Sequence, residues 1–486
     1  MITKLQSTLK LSLFLALVFN ITIHAQWSQV GEALDGNTGS SERFGRAVSL
    51  SEDGNTLAVG AYRDGEVYNT TFGWLDERGA VRIYEKQADV WVLQTEIDGI
   101  EPGENFGRSV SLSSDGNTLI VGAPNAGNGT TTEWSISTTE TGVVRVYAKI
   151  DNTWTQTGSD IVGENTGEYF GFSVDISDDG NTISAGAYRY ANNTGAARVY
   201  TNIEGTWTEV ADINGSDEGD DAGYAVSLSH DGTTLAVGSY AHDSDKGTTR
   251  VYRDNSGTWS QIGSDIDGEN TGDKAGFSVS LSEDGNALAI GAPANTSDDG
   301  TAYVYEYASG VWGVNAQLNG TTGEGNEFGT QVSLNKNGSR VAVSATAFDW
   351  SNGVVKVYEN QSNTWTQIGD DILSGASTFD FVFFGRGLAL SGDGNTIAIG
   401  ADAANNNDGF LKVFEYPEAT ASTNDFTLND ILFSVENGTI YTADNITVNI
   451  FDFAGKSIAN QNLHGLYVVQ FIDENNQTLI KKLLIK

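Results

Sequence analysis

Through most of the chain, apolar and polar residues alternate with a period of two. Val48 and Leu50, then Leu57 and Val59, are separated by small or polar neighbours, the signature of strands with one buried face. Between the two runs stands Asp53-Gly54, a pair that accepts the positive backbone dihedrals of a tight hairpin. A variable loop follows, then the apolar run Ala80-Val81-Arg82-Ile83-Tyr84. Last comes a tryptophan run of the kind Trp154-Thr155-Gln156-Thr157-Gly158. No stretch sustains a helical period. The pattern predicts four antiparallel strands per unit.

The unit recurs seven times. Its opening Phe44-Gly45 returns as Phe106-Gly107, Phe170-Gly171, Ala222-Gly223, Ala275-Gly276, Phe328-Gly329 and Phe384-Gly385, at intervals of 62, 64, 52, 53, 53 and 56 residues. The hairpin pair returns as Asp115-Gly116, Asp179-Gly180, Asp231-Gly232, Asp284-Gly285 and Asp393-Gly394, with Asn337-Gly338 in the sixth copy. Four-stranded repeats of about 50 residues are the units of radial β-propellers. The tryptophans decide how the ring closes. Trp27, Trp91, Trp154, Trp207, Trp259, Trp312 and Trp365 make seven, but the first precedes the first Phe-Gly, and nothing after Val413-Phe414 supplies an eighth. The seventh unit therefore lacks a fourth strand, and Trp27-Ser28-Gln29-Val30-Gly31 fits the gap. The expected fold is all-β, a seven-bladed propeller over residues 26–416 closed by its N-terminal strand. Full burial of Trp27 there is worth roughly 4–6 kcal/mol as an upper value, from about 25 cal/mol per Å².

With Gly122-Ala123-Pro124 and Gly291-Ala292-Pro293 completing the pattern, the repeats resemble FG-GAP repeats, the units of integrin α-subunit propellers and of many bacterial surface proteins. Gly60-Ala61-Tyr62, Gly186-Ala187-Tyr188, Gly238-Ser239-Tyr240 and Gly400-Ala401-Asp402 are near matches, and Ser344-Ala345-Thr346 diverges most. Phe-Gly and Gly-Ala-Pro themselves read as packing and backbone geometry. In integrin-type repeats the first hairpin often carries a calcium loop. Here it is cut to Ser51-Glu52-Asp53-Gly54-Asn55-Thr56, and one aspartate in so tight a turn reads as a turn former. The family's calcium sites are not expected at these positions.

The two ends differ from the repeats. Residues 1–25 read as a secretory signal peptide, with Lys4 and Lys10, an apolar stretch from Leu11 to Ile23, and cleavage between Ala25 and Gln26. No apolar run is long enough to span a membrane comfortably. Residues 417–423 read as a linker. Residues 424–486 resemble the C-terminal sorting domain of type IX secretion substrates, through a strand ending Phe453-Ala454-Gly455-Lys456, then Gly465-Leu466-Tyr467, then Lys481-Lys482-Leu483-Leu484-Ile485-Lys486. That tail resembles a small β-sandwich-like domain, and the likeness implies the type IX machinery as a partner. It implies a secreted or outer-surface protein of a Gram-negative bacterium.

Charge narrows the function. Lys plus Arg total 26 against 64 Asp plus Glu, a formal net charge of −38. A basic nucleic-acid surface is excluded at this balance. Without cysteine there is no disulfide framework or thiol nucleophile, and four histidines leave little for histidine catalysis. Mutual repulsion favours a dispersed monomer.

Candidate chemistry lies in loops on the face opposite the Asp-Gly turns. The loops 62–78 and 124–141 are the longest within blades and carry Tyr68, Phe72, Trp74 and Trp134. Exposed aromatics of this kind suit a sugar ring or a protein partner. The acidic loops, including Asp243, Asp245, Asp298 and Asp299, are either solvated surface or a low-affinity calcium site. No nucleophile elbow, phosphate loop or Ser/His/Asp pattern appears, so no catalytic residue is assigned. The expected function is binding or adhesion to an extracellular carbohydrate or protein. A polysaccharide-active enzyme and a structural envelope protein are the alternatives.

Overall fold

Each repeat folds into a separate sheet because it carries the same turn signals in the same order. The structure is a computed structural model. It describes residues 25–65, 67–69, 73–75, 78–127, 140–294, 299–321, 326–376 and 381–417, and the strands lying between 427 and 485. Blade 1 is built from Phe44–Leu50, Thr56–Ala61, Ala80–Gln87 and Val90–Asp98, each antiparallel to the next. The first strands of blades 2 to 7 are Ser109–Leu112, Val174–Ile176, Ala225–Leu228, Ser278–Leu281, Phe328–Leu334 and Gly387–Leu390. Each packs against its neighbours on both sides, and blade 7 returns to blade 1. The result is a seven-bladed β-propeller around a central channel.

The first hairpin is held by its own aspartate. Asp53 Oδ1 accepts from Ser51 Oγ at 2.6 Å and from Asn55 N at 3.0 Å, while Thr56 N donates to Ser51 Oγ at 2.9 Å. The same network recurs around Asp115, Asp179, Asp231, Asp284 and Asp393. Partial burial opposes the charge of Asp53, but the donors from Ser51 and Asn55 outweigh it and hold the carboxyl below the usual range.

The Phe-Gly pair is the centre of a type II turn. In all seven copies the residue after the glycine donates its N–H to the carbonyl three positions back, at 3.1 to 3.3 Å. The aromatic of the pair is buried between blades: Phe44, Phe106, Phe170 and Phe384 are 0% exposed. The glycine of Gly-Ala-Pro meets this turn from the neighbouring blade. A Cβ on Gly122 would lie 1.9 Å from the carbonyl oxygen of Gly171, and one on Gly400 would lie 1.9 Å from that of Gly45, where blade 7 meets blade 1. No side chain fits between backbones this close. In the divergent sixth copy, the Cβ of Ser344 faces Gly385 instead.

The N-terminal strand supplies the fourth strand of blade 7. Ser28 pairs with Glu415 and Gln29 with Phe414, Leu34 and Asp35 continue against Leu411 and Phe410, and Val30 N donates to Val413 O at 2.9 Å. Trp27 reaches into blade 6, where its Nε1 donates to Ile368 O at 3.1 Å, and its ring lies 5.2 Å from that of Tyr416. Trp27 is half-buried, so the burial term falls below the full-burial value.

Residues 417–486 form a second unit. Thr427–Leu428, Ile431–Glu436 and Thr439–Thr442 make a three-stranded antiparallel sheet. A four-stranded sheet follows in the order Ser457–Ile458, Thr447–Phe451, Gly465–Ile472, Thr478–Ile485.

Candidate functional site at the channel mouth

The Phe-Gly turns decide what lines the channel. Each turn places the residue after its glycine at the end of the channel nearest the long loops. In blade order these residues are Arg46, Arg108, Phe172, Tyr224, Phe277, Thr330 and Arg386. All but Thr330 line a cavity of about 180 Å³, to which blade 6 contributes Gln331. Because blades follow one another around the ring, the identities sort into two arcs. Arginines come from blades 7, 1 and 2, and aromatics from blades 3, 4 and 5.

The aromatic arc is a continuous set of ring contacts. Phe172 lies 5.0 Å from Tyr224, which lies 5.0 Å from Phe277. Tyr188 and Tyr240, from the ends of second strands, stand behind at 4.5 Å from Phe172 and Tyr224 respectively. Centroid spacings of this size are favourable edge or tilted pairs. Burial, aided by Asp221, raises the Tyr240 hydroxyl above its ordinary value.

The arginine arc is poorly compensated. Arg108 stacks over Phe172 at 4.2 Å, at the seam between the arcs. Arg386 lies over Phe383 at 3.8 Å and 3.4 Å from Asp402 Oδ1, while Arg43 approaches Asp402 Oδ2 at 3.9 Å. Among the described residues, neither Arg46 nor Arg108 forms an ion pair. Burial pushes the Arg108 guanidinium down to about 10, with the like charge of Arg46 adding to the effect. Arg386 is also lowered, by burial first and by Arg46 and Arg43 in addition, with Asp402 opposing.

The far end of the channel is built differently. In six of the seven blades the residue after Leu-Ser or its equivalent donates its backbone N–H to the next blade. Glu52 N donates to Ser114 O at 3.0 Å, Ser114 N to Asp178 O at 3.2 Å, and Asp178 N to His230 O at 2.8 Å. Glu283 N donates to Lys336 O at 2.8 Å, Lys336 N to Gly392 O at 3.0 Å, and Gly392 N to Glu52 O at 2.9 Å. Lys336 Nζ crosses this ring to Glu52 at 2.8 Å, Asp178 at 3.3 Å and Glu283 at 3.4 Å. Cations thus gather at one end of the channel and carboxylates at the other.

Some loop acids are structural. Glu42, Glu104 and Glu168 precede Phe-Gly by two residues and are at most 1% exposed. Glu104 takes both Nη atoms of Arg145 at 2.9 Å, and Glu168 those of Arg198 at 2.8 and 3.1 Å. Glu42 holds Arg82 in the same way at 2.5 and 3.0 Å. Each also accepts an N–H of its own loop, from Asn37, Ile100 or Glu164. The signal was present in the sequence as a glutamate before Phe-Gly paired with an arginine in the third strand.

Of the residues expected to form sites, Phe72, Trp134 and Asp298 lie outside the described residues. Tyr68 and Trp74 pair across a short ladder, Val67–Asn69 against Gly73–Leu75; their side chains are outside the described set. Asp243 and Asp245 are exposed in a tight turn, with φ of 48° and 62° and Ser244 between them at 61°. The same left-handed turn recurs at 191–193, 349–351 and 405–407. Aspartate and asparagine tolerate this conformation better than most residues, which gives a local reason for their recurrence. Asp299 is 5% exposed.

Two groups of described residues have metal-ligand spacing, Asp217/Asp220/His242 and Asp64/Glu96/Asp98, and neither includes Asp243, Asp245 or Asp299. In the second, Arg82 already bonds Asp64, at 3.1 Å, and Glu96. Burial and the neighbouring Glu42 push Asp64 up to about 6 against that cation. In the first, Asp220 accepts from Ser216 N at 3.2 Å and Asp217 N at 3.0 Å and lies 2.9 Å from His242 Nδ1. At the expected cleavage junction after Ala25, Gln26 Oε1 accepts from Asp370 N at 2.7 Å.

The FG-GAP repeat family model matches residues 27–73, the closing strand together with the first hairpin of blade 1 and the start of its loop. With seven blades joined by Phe-Gly turns, the match supports an FG-GAP propeller. No curated protein matches the chain. Among the described residues, no helix is long and apolar enough to cross a membrane.

Proposed function

We propose that the protein is an exported ligand-binding module and that the loop-side mouth of its channel takes a carbohydrate. The observation that carries this reading is the arc of Phe172, Tyr224 and Phe277, half-buried and lining the cavity, with half-buried Tyr188 and Tyr240 packed behind it. Rigid aromatics presented by a rigid scaffold are the usual platform for a sugar face, at low cost in conformational entropy. The apolar N-terminal segment, the acidic composition and the tail resembling a type IX sorting domain support delivery to the cell surface or medium.

The test is a glycan and matrix-protein array probed with the secreted protein, in calcium and again in EDTA, alongside Tyr224→Ala. Saturable glycan capture that Tyr224→Ala removes supports the reading. Loss of capture in EDTA would add calcium to the site. Capture of proteins alone, or glycan capture indifferent to Tyr224, sinks it.

A further inference from the structure

We infer that the ligand is anionic: the mouth takes the acidic end of a glycan, a terminal sugar bearing a carboxylate or a sulfate ester. This rests on the carbohydrate reading above and adds charge and position to it. The chain has 26 cations against 64 acids, yet three successive blades put arginine at the same turn position: Arg386, Arg46 and Arg108. Three arginines in the third strands are fully neutralised. Arg82, Arg145 and Arg198 each grip a buried glutamate with two nitrogens.

At the mouth the equivalent pairing is incomplete. Asp402 lies between Arg43 and Arg386, and among the described residues Arg46 and Arg108 have no carboxylate partner. The other acids facing this end are engaged, Asp221 with the Tyr240 hydroxyl and Glu327 with Thr346 Oγ1 at 3.2 Å. Crowding like charges in a half-buried site destabilises the fold, so the cations need a partner from outside. Guanidinium groups match oxyanions with two or three equivalent oxygens, which is the geometry of carboxylate and sulfate.

Position follows from the seam. Arg108 lies over Phe172 at 4.2 Å, so a sugar ring on the aromatic arc directs a substituent toward Arg108 and Arg46. The cavity measures about 180 Å³. The far end of the channel is narrowed by Lys336 and its three carboxylates. Such a space admits one terminal unit and not a threaded polymer.

The experiment is calorimetric titration of the full secreted chain at low and high salt. The probes are neutral oligosaccharides ending in a single galacturonate, mannuronate or glucuronate, their neutral methyl esters, and neutral galactan oligosaccharides carrying one terminal sulfate ester. At least one acidic series should bind tenfold or more tighter than its neutral counterpart, with affinity falling as salt rises. The preferred series separates carboxylate from sulfate. Arg46→Gln and Arg108→Gln should each lose at least tenfold in affinity, whereas Lys86→Gln, the same charge change on the Asp-Gly side, should lose none. Arg46→Gln should not lower the melting temperature, because Arg46 holds no partner in the fold. Equal binding of acid and ester, or arginine variants that keep full affinity, overturns the anionic inference and leaves the carbohydrate reading standing. Absence of binding in every arm overturns both.

Discussion

Replacing Glu104 by Gln isolates one charge in the blade 1–2 interface. Glu104 is 0% exposed and accepts both Nη atoms of Arg145 at 2.9 Å and the N–H of Ile100 at 2.6 Å. Burial works against the Arg145 charge, but Glu104 outweighs it and holds the guanidinium above its ordinary value. Gln keeps the shape and the acceptor for Ile100 while removing the charge. Arg145 is then left with Asp160, at 3.0 Å, whose side chain is 34% exposed. Removing one member of a buried pair costs about 3–5 kcal/mol, and the surviving contact with Asp160 favours the lower end. At about 2 °C per kcal/mol for a large domain, the melting temperature should fall by about 6 °C. The double variant Glu104→Gln/Arg145→Met removes the stranded cation as well and should recover to within about 1 kcal/mol of the parent. Tryptophan fluorescence during denaturant titration reads all three proteins. A single variant costing under about 1 kcal/mol, or a double variant no better than the single, would refute the claim that this pair is desolvated and structural.

Deleting residues 26–35 removes the ladder to Phe410–Glu415 and should open the ring, read as a larger hydrodynamic radius and rapid proteolysis; an unchanged radius would contradict closure by this strand. Trp27→Ala alone should cost about 2–3 kcal/mol, since the ring is only half-buried. Gly122→Ala drives a Cβ to 1.9 Å from Gly171 O, whereas at Gly313 the nearest atom is 3.9 Å away. The first should cost about 3 kcal/mol or more in chemical denaturation and the second less than about 0.5. At the far end of the channel, His230 is raised above 6.5 because its bond to Asp178 outweighs burial, and Asp178 is lowered below 3.8 by His230 and Lys336 against burial. The His230 contribution is complete below its unfolded value and fades as pH rises through the raised folded value. The Asp178 contribution is present above its unfolded value and fades as pH falls through the lowered one. Thermal melts from pH 4 to 9 should therefore show a decline on the alkaline side that His230→Asn flattens; an identical profile in the variant would rule the pair out as its source.

Blade number, strand order and ring closure were legible because they depend on local chemistry. Asp-Gly after a Leu-Ser or Ile-Ser run fixes the first hairpin of a blade, and the count of tryptophan runs against Phe-Gly turns leaves the seventh blade one strand short and the N-terminus with one to spare. The site was legible only in part. The arginine and aromatic arcs occupy one position in seven successive copies, and a reader following the repeat as a repeat attends to what stays constant, Phe-Gly, and not to the residue after it. That residue faces the channel only because the type II turn carries it there, and the arcs become contiguous only once blade 7 lies beside blade 1. The Asp and Asn runs carry a local backbone reason of their own. At 243–245 and 405–407 they stand in left-handed turns, where those residue types are the ones the backbone accepts.

The net charge of −38 therefore combines populations with different work. Turn aspartates such as Asp53 hold hairpins, Glu42, Glu104 and Glu168 neutralise third-strand arginines, and only the remainder forms an outward field. Cations divide in the same manner: among the described residues most sit against a carboxylate, while Arg46 and Arg108 at the mouth do not. The two scales oppose each other at the mouth. The outer field repels any densely charged polyanion at distances up to a Debye length, about 8 Å at physiological salt, while the arginine arc attracts a single oxyanion that has reached it. A long uniformly charged polymer meets repulsion along its length and gains at one point. A mostly neutral glycan ending in one acidic sugar meets little repulsion and gains the same contact. The long-range field thus sharpens the selectivity of the short-range site for terminal, isolated charge.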